Sequence, residues 1–155
     1  IISEFTRKIL SNEAISLFNS GRHERDFTYI DDVVDLIVQV LNSPPIVKST
    51  DTESRADEYI NSAPFRVYNV GSQHSVSVIE LVKNLEKILG KKAIVEFQPR
   101  QAGDMLRTQA DMEGTKRDFD FSPKTTLFDG LVQFCNWYRE QDIEEVKAVH
   151  RRQQS

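Results

Sequence analysis

Glycine is scarce and scattered in this chain. The six glycines among its 155 residues are Gly21, Gly71, Gly90, Gly103, Gly114 and Gly130, and no two lie closer than 11 positions. A G-x-G-x-x-G turn or a P-loop needs glycines within one tight turn, because the backbone must approach phosphate without a Cβ in the way. No such turn is written here. Cysteine is scarcer still: Cys135 stands alone, which excludes an internal disulfide and a cysteine-rich zinc site and fits a reducing cytoplasm. His23, His74 and His150 are isolated from one another and read as surface or core histidines rather than metal ligands. A Tyr-x-x-x-Lys pair, which would let an ammonium turn a phenol into a base near neutral pH, is absent as well. Four residues after Tyr29, Tyr59, Tyr68 and Tyr138 come Val33, Ala63, Ser72 and Asp142. The most apolar stretch, 33–41, is broken by Asp35 and Gln39, well short of the roughly 20 residues of a membrane span. No signal peptide is visible. A formal net charge of −4 leaves no basic excess for nucleic acid or anionic lipid. The residues alone display no catalytic centre.

What is present is the composition of a soluble folded domain, 39% hydrophobic and 28% charged, with a mean hydropathy of −0.46. The pattern predicts one domain over 1–143, with a mobile polar loop at 46–63 and a frayed tail at 144–155. Ile2, Phe5, Ile9 and Leu10 recur at helical spacing. Residues 14–18 read as a strand, Asn19-Ser20-Gly21 as a turn, and 26–30 as a second strand. A helix follows from Asp31, with Val33, Val34, Ile37, Val40 and Leu41 on one side, and Pro44-Pro45 ends it. Residues 65–70 read as a strand closed by Gly71. Ser77 and Glu80 form a capping box for a helix that ends at Gly90. A strand over 93–97 follows, then a short helix capped by Asp111, then a long helix opened by Thr126 and Asp129. Helices alternating with short strands place the chain in the α/β class, or α+β if the chain stands alone.

Two segments carry candidate chemistry. Arg25 sits beside a turn at the start of a strand, where its guanidinium can fork onto a phosphate; a surface ion pair with Asp26 or Asp32 is the plainer alternative. In Pro99-Arg100-Gln101-Ala102-Gly103-Asp104, Asp104 can accept hydrogen bonds from a ribose diol, or can cap its own turn. One of Asp31 and Asp32 reads as a helix N-cap. Trp137 and Tyr138 read as core, and Cys135 as a buried, inert thiol.

In this order and spacing, these segments resemble the C-terminal half of the extended short-chain dehydrogenase/reductase nucleotide-sugar epimerases. Arg25-Asp26-Phe27-Thr28-Tyr29-Ile30-Asp31-Asp32 resembles that family's Arg-Asp-(Phe/Tyr)-x-(Tyr/His)-(Ile/Val)-x-Asp motif. Tyr68-Asn69-Val70-Gly71, Gly103-Asp104 with Ala110-Asp111, and Phe121-Ser122-Pro123 with Gly130-Leu131 and Trp137-Tyr138 resemble its later segments. Within the family, Gln101 and the Asn136-Trp137-Tyr138-Arg139 ending are similar to those of the UDP-glucuronate 4-epimerases.

The resemblance implies the substrate-binding lobe of a Rossmann-type, NAD-dependent epimerase. Phe18 would lie against uracil, Arg25 would bind the diphosphate, Asp104 would sit near the ribose, and Gln101 would extend the same wall. Arg100 stands where an apolar residue is common, and could add a phosphate contact. The NAD loop and catalytic Tyr-x-x-x-Lys pair belong to the family's N-terminal half. With Ile1 as first residue, the expectation is therefore a C-terminal part of a longer chain, inactive alone, whose parent is a cytoplasmic homodimer of polysaccharide biosynthesis. The implied ligand is UDP-glucuronate or UDP-galacturonate. In the family, NAD takes the C4 hydride, the keto-sugar rotates and the hydride returns, so this lobe would hold UDP while the hexose turns. A dTDP-glucose 4,6-dehydratase, a UDP-glucuronate decarboxylase and a stand-alone, non-catalytic nucleotide-sugar or protein-binding module are the alternatives.

Overall fold

The computed structural model of the chain describes residues 1–45 and 65–141. The loop expected at 46–63 and the tail expected at 144–155 lie outside the described residues. The elements are α1 (Ile2–Ser11), β1 (Ala14–Phe18), a 3₁₀ turn (Asn19–Gly21), β2 (Glu24–Asp26), α2 (Ile30–Leu41), β3 (Ser75–Ser77), α3 (Val78–Leu89), β4 (Ile94–Gln98), α4 (Glu113–Phe119) and α5 (Leu127–Glu140). The alternation expected of an α/β chain is present. No helix among the described residues is long and apolar enough to cross a membrane.

Apolar spacing determines how the layers meet. Phe5 and Ile9 on α1, Ile15 and Leu17 on β1, Leu81, Val82 and Leu85 on α3, and Leu131 and Cys135 on α5 form the main core. Fully burying side chains of this kind stabilises by about 1.5–3 kcal/mol each. β1 pairs in parallel with β4, from Ala14 opposite Ile94 to Phe18 opposite Gln98. β2 pairs antiparallel with β3, Arg25 facing Val76. A smaller cluster gathers Leu36, Met112 and Phe121.

Caps behave as the side chains dictate. Ser77 Oγ accepts from the Glu80 amide at 3.3 Å, and Thr126 Oγ1 accepts from the Asp129 amide at 3.1 Å. The C-cap of α3 is Gly90, at a φ of 68°. In the turn after β1, Asn19, Ser20 and Gly21 all have positive φ. A Cβ on Gly21 would also lie 2.9 Å from the Ile79 Cβ, so this position requires glycine on two counts.

Several expectations need correction. The second strand is Glu24–Asp26, not 26–30, because Asp26 turns its carboxylate away to bind distant amides and the chain enters α2 at Ile30. Residues 65–70 do not form a strand in the described structure, and side-chain bonds hold 68 and 69. The Tyr68 hydroxyl donates to Asp118 at 2.9 Å, its ring meets Phe119 edge-on, and the Asn69 carbonyl accepts from Thr115 Oγ1 at 2.6 Å. Neither Asp31 nor Asp32 is an N-cap. Tyr29 holds that position without a side-chain bond, and buried Asp32 instead accepts from the Lys124 and Thr125 amides at 3.2 and 3.1 Å. Asp111 does bond the start of α4, accepting from the Glu113 amide, but Met112 is the N-cap. Trp137 is half exposed, whereas Tyr138 is core. On α2 only Leu36 and Asp32 are buried, and Val34, Ile37, Val38 and Leu41 face outward.

One carboxylate ties the two sides of this frame together. Asp26 Oδ1 accepts from the Ser72 amide at 2.8 Å and the Ser72 hydroxyl at 2.6 Å, while Oδ2 accepts from the Ala110 amide at 3.1 Å and the Gln73 amide at 3.3 Å. Burial by itself would raise the Asp26 pKa; the bonds from Ser72, Ala110 and Gln73 outweigh it and hold the carboxyl below its ordinary value. A depressed folded pKa means this stabilisation is present above about pH 4 and is lost as pH falls through the folded value. Asp26→Asn, which turns an NH2 toward converging donors, is expected to cost about 2–3 kcal/mol at neutral pH. Denaturant titration at pH 7 and pH 3 should show the difference from the parent shrinking in acid. Gly71→Ala attacks the same point, since its Cβ would fall 2.5 Å from the Ala110 Cβ and 2.6 Å from Asp26 Oδ2. A loss of about 1–3 kcal/mol is expected in the same assay.

Candidate functional site

β1, the residue before β2 and β2 itself deliver three chemically distinct side chains to one place, and a loop from the far half of the chain brings a fourth. Phe18 ends β1. The turn after it reverses the chain, and His23 and Arg25 then emerge two residues apart, on the same side of an extended backbone. The loop 99–109 is laid along β2 by backbone bonds, Glu24 N–H to the Leu106 carbonyl at 2.8 Å and Thr108 N–H to the Glu24 carbonyl at 3.2 Å. This brings Asp104 over the strand.

Asp104 receives both neighbours. Arg25 Nη2 donates to Asp104 Oδ1 at 2.9 Å, and His23 Nδ1 lies 2.8 Å from Asp104 Oδ2. Arg25 Nη1 donates to the Met105 carbonyl at 2.8 Å and to the Glu24 carbonyl at 2.9 Å. The guanidinium thus grips the loop through a carboxylate and a carbonyl. Both Arg25 and Asp104 side chains keep over a quarter of their surface open, 27% and 30%, so the pair is screened and contributes modestly to stability. Arg25 pairs with neither Asp26 nor Asp32, and Asp104 does not cap its own turn.

Phe18, His23, Arg25 and Asp104 line a cleft of about 130 Å³, with Val78 and Ser16 in its wall. Sites that enclose a drug-sized ligand occupy about 300–1,000 Å³, so this cleft is one wall rather than a complete pocket. Arg100 and Gln101 are exposed on the same loop and do not line the cleft. The Gln101 carbonyl accepts from the Asp104 amide at 3.4 Å, and Gly103, at a φ of 85°, turns the loop between them. A larger cavity of about 430 Å³ lies elsewhere, between Ile2, Phe27, Tyr29, Leu127 and Phe134. Its lining carries no charged side chain; it includes Phe27 to Ile30 of the motif but none of Phe18, Arg25, Arg100, Gln101 and Asp104.

Other reactive groups are quiet. Burial pushes the Cys135 thiol up from its ordinary pKa, so it stays protonated in the core. No cluster of three or more His, Cys, Asp or Glu among the described residues could hold a metal ion. The glycines do not fit a dinucleotide cradle: Gly21 packs on Ile79, Gly71 on Ala110 and Asp26, and Gly90 ends α3. His23 is the site residue that sequence reading missed. Its only signal is its place two residues before Arg25, which on a strand puts both on one face.

Comparison with known proteins gives this geometry a setting. The Epimerase pattern, described as the NAD dependent epimerase/dehydratase family, matches residues 1–71. The chain is 36% identical over 137 residues to Protein CapI of Staphylococcus aureus, covering 88% of this chain and 41% of that protein. It is 38% identical over 139 residues to UDP-glucuronate 4-epimerase 2 of Arabidopsis thaliana, covering 86% and 31%. Among solved structures it resembles a variant of the UDP-glucuronic acid 4-epimerase of Bacillus cereus in complex with UDP-4-deoxy-4-fluoro-glucuronic acid and NAD. The TM-score is 0.70 at 26% identity, covering 90% of this chain and 39% of that one. The chain spans about two fifths of the length of the first curated relatives it matches.

The grip on the 99–109 loop is testable without any ligand. Asp104→Ala removes the acceptor shared by Arg25 and His23. Amide hydrogen exchange is expected to speed up at Glu24 and Thr108, by about tenfold if a charge-assisted bond guards the loop, while α3 amides keep their protection. Unchanged exchange at both positions would mean that the remaining bonds, among them Ser75 Oγ to the Thr108 carbonyl at 2.8 Å, hold the loop without Asp104.

Proposed function

We propose that this chain, which belongs to the NAD dependent epimerase/dehydratase family, is the UDP-sugar-binding portion of a nucleotide-sugar 4-epimerase acting on UDP-glucuronate. The observation that carries this reading is the convergence of an aromatic ring, a guanidinium and a carboxylate, from residues 18, 25 and 104, on one open cleft. Those groups suit the three parts of a nucleoside diphosphate. Phe18 offers a face for uracil, a contact worth about 1–3 kcal/mol per stacked base. Arg25 offers a planar fork that takes a phosphate as readily as the carboxylate it now holds. Asp104 offers an acceptor for ribose hydroxyls. Gln101 and Arg100, exposed on the same loop outside the cleft, would add polar contacts beyond it.

The chemical logic is a division of labour. Epimerisation at C4 needs a nucleotide held still and a hexose free to turn. This lobe supplies the fixed end. Bound NAD supplies the hydride acceptor and donor, and the glycines of this chain do not fit its cradle, so no hydride step is assigned to residues described here. In this reading NAD and the remainder of the pocket belong to the rest of a longer, cytoplasmic, homodimeric protein that interconverts UDP-glucuronate and UDP-galacturonate. The relative named UDP-glucuronate 4-epimerase 2, at 38% identity, supports the choice of sugar.

Arg25→Ala in the full-length protein is expected to weaken UDP-glucuronate binding about tenfold or more, the loss of one or more charge-assisted bonds. Isothermal titration checks this. An unchanged dissociation constant would remove Arg25 from the diphosphate site.

A further inference from the structure

We infer that His23 is a positioning residue for the ligand wall. It holds the Asp104 carboxylate in place while Arg25 leaves that carboxylate for the ligand's diphosphate. The inference rests on the UDP-sugar reading above and adds to it a residue that the reading does not use.

Asp104 sits between two donors of different character. On one side is Arg25, a long side chain with 27% of its surface open. On the other is His23, whose side chain is only 5% exposed. The His23 backbone is fixed as well, its carbonyl accepting from the Val78 amide at 2.9 Å where α3 begins. Arg25 therefore has open space to turn into, and the His23 ring does not. A carboxylate only accepts hydrogen bonds, so the 2.8 Å contact to Asp104 Oδ2 is favourable only with a hydrogen on Nδ1.

The other ring nitrogen sharpens the point. Nε2 of His23 is buried and has no hydrogen-bond partner. A polar atom left unpaired in the interior is costly. An apolar residue would fill the same space without that cost, and the Nδ1 contact with Asp104 is the interaction that only the histidine provides. The ring is thus spent on orienting one carboxylate.

The consequence appears when ligand arrives. A phosphate oxygen that takes over the Arg25 fork removes the bond to Asp104 Oδ1, and turning the guanidinium also releases the Met105 carbonyl. Asp104 is then an anion beside another anion, on a loop that has lost its bonds to Arg25. The His23 contact with Oδ2 survives this exchange, because it uses the other oxygen. It keeps the carboxylate over β2 with Oδ1 free to accept a ribose hydroxyl. Arg25 and Asp104 thereby become two contacts to one ligand, where without ligand they hold each other.

The test uses the full-length protein, UDP as probe, and two kinds of readout. By calorimetry, His23→Leu is expected to weaken UDP binding about tenfold, the scale of one charge-assisted bond. His23→Asn, whose amide nitrogen can donate from near the Nδ1 position, is expected to restore affinity to within about threefold of the parent. If Arg25→Ala weakens UDP while His23→Leu binds as the parent does, the positioning role is overturned and the UDP reading stands. If the parent itself binds no UDP, the UDP reading falls and this inference falls with it. Nitrogen-15 NMR of the imidazole gives a readout that needs no substitution at His23. Hydrogen on Nδ1 is expected in the parent, and a shift of the tautomer toward Nε2 in Asp104→Ala. An imidazole whose tautomer ignores the loss of Asp104 would overturn the proposal even where the His23 variants fail to fold.

Discussion

The Asp26 carboxylate is the point on which the arrangement of this molecule turns. Four donors from Ser72, Gln73 and Ala110 converge on its two oxygens. It thereby joins β2 to the segment before β3 and to the segment that follows the 99–109 loop. These stretches lack the regular ladders that would otherwise satisfy their amides, and an ionised carboxylate is a strong acceptor for such groups. Gly71 is shaped to this point, because any side chain there would meet Asp26 and Ala110. Asp32 repeats the device six residues on, accepting the Lys124 and Thr125 amides just before α5. Two acidic side chains thus fasten remote backbone to the strand and helix that carry the site.

That fastening explains why Arg25 meets Asp104 at all. The two are 79 positions apart in sequence. Asp26 at the end of β2 bonds the Ala110 amide, and Glu24 at its start is bonded on both sides by residues 106 and 108. The loop is pinned along the whole strand, and Asp104 rides at its outer end over His23 and Arg25. The same short strand serves stability on one side and ligand chemistry on the other. Alternation of side chains along an extended backbone separates the two roles: the Glu24 and Asp26 side chains meet Arg107 and the amides of 72, 73 and 110, while those of 23 and 25 face the cleft.

The segment from Arg25 to Asp32 shows how a motif that resembles a binding signature divides its labour. Arg25 alone lines the cleft. Asp26 and Asp32 hold amides, Phe27 packs against the main core, and the Tyr29 hydroxyl donates to Gln133 on α5 at 2.9 Å. Most of the motif is occupied in building the surface from which one guanidinium projects.

Helical spacing, the Ser77 and Thr126 caps, the turn before Gly21 and the strands β1 and β4 were legible in the sequence, because each depends on neighbours within a few positions. So was the choice of Arg25 and Asp104 as chemically notable. Their partnership was not, since nothing local distinguishes an arginine that pairs with Asp26 from one that reaches a loop 79 residues away. The tertiary structure alone decided that Tyr68 and Asn69 are held by side-chain bonds rather than within a strand, that Asp32 is an anchor rather than a cap, and that His23 is buried beneath Asp104. In each case the physical reason is the same. Polar groups that leave water must find partners, and where those partners lie is fixed by the packing of the whole chain, not by the residues alongside.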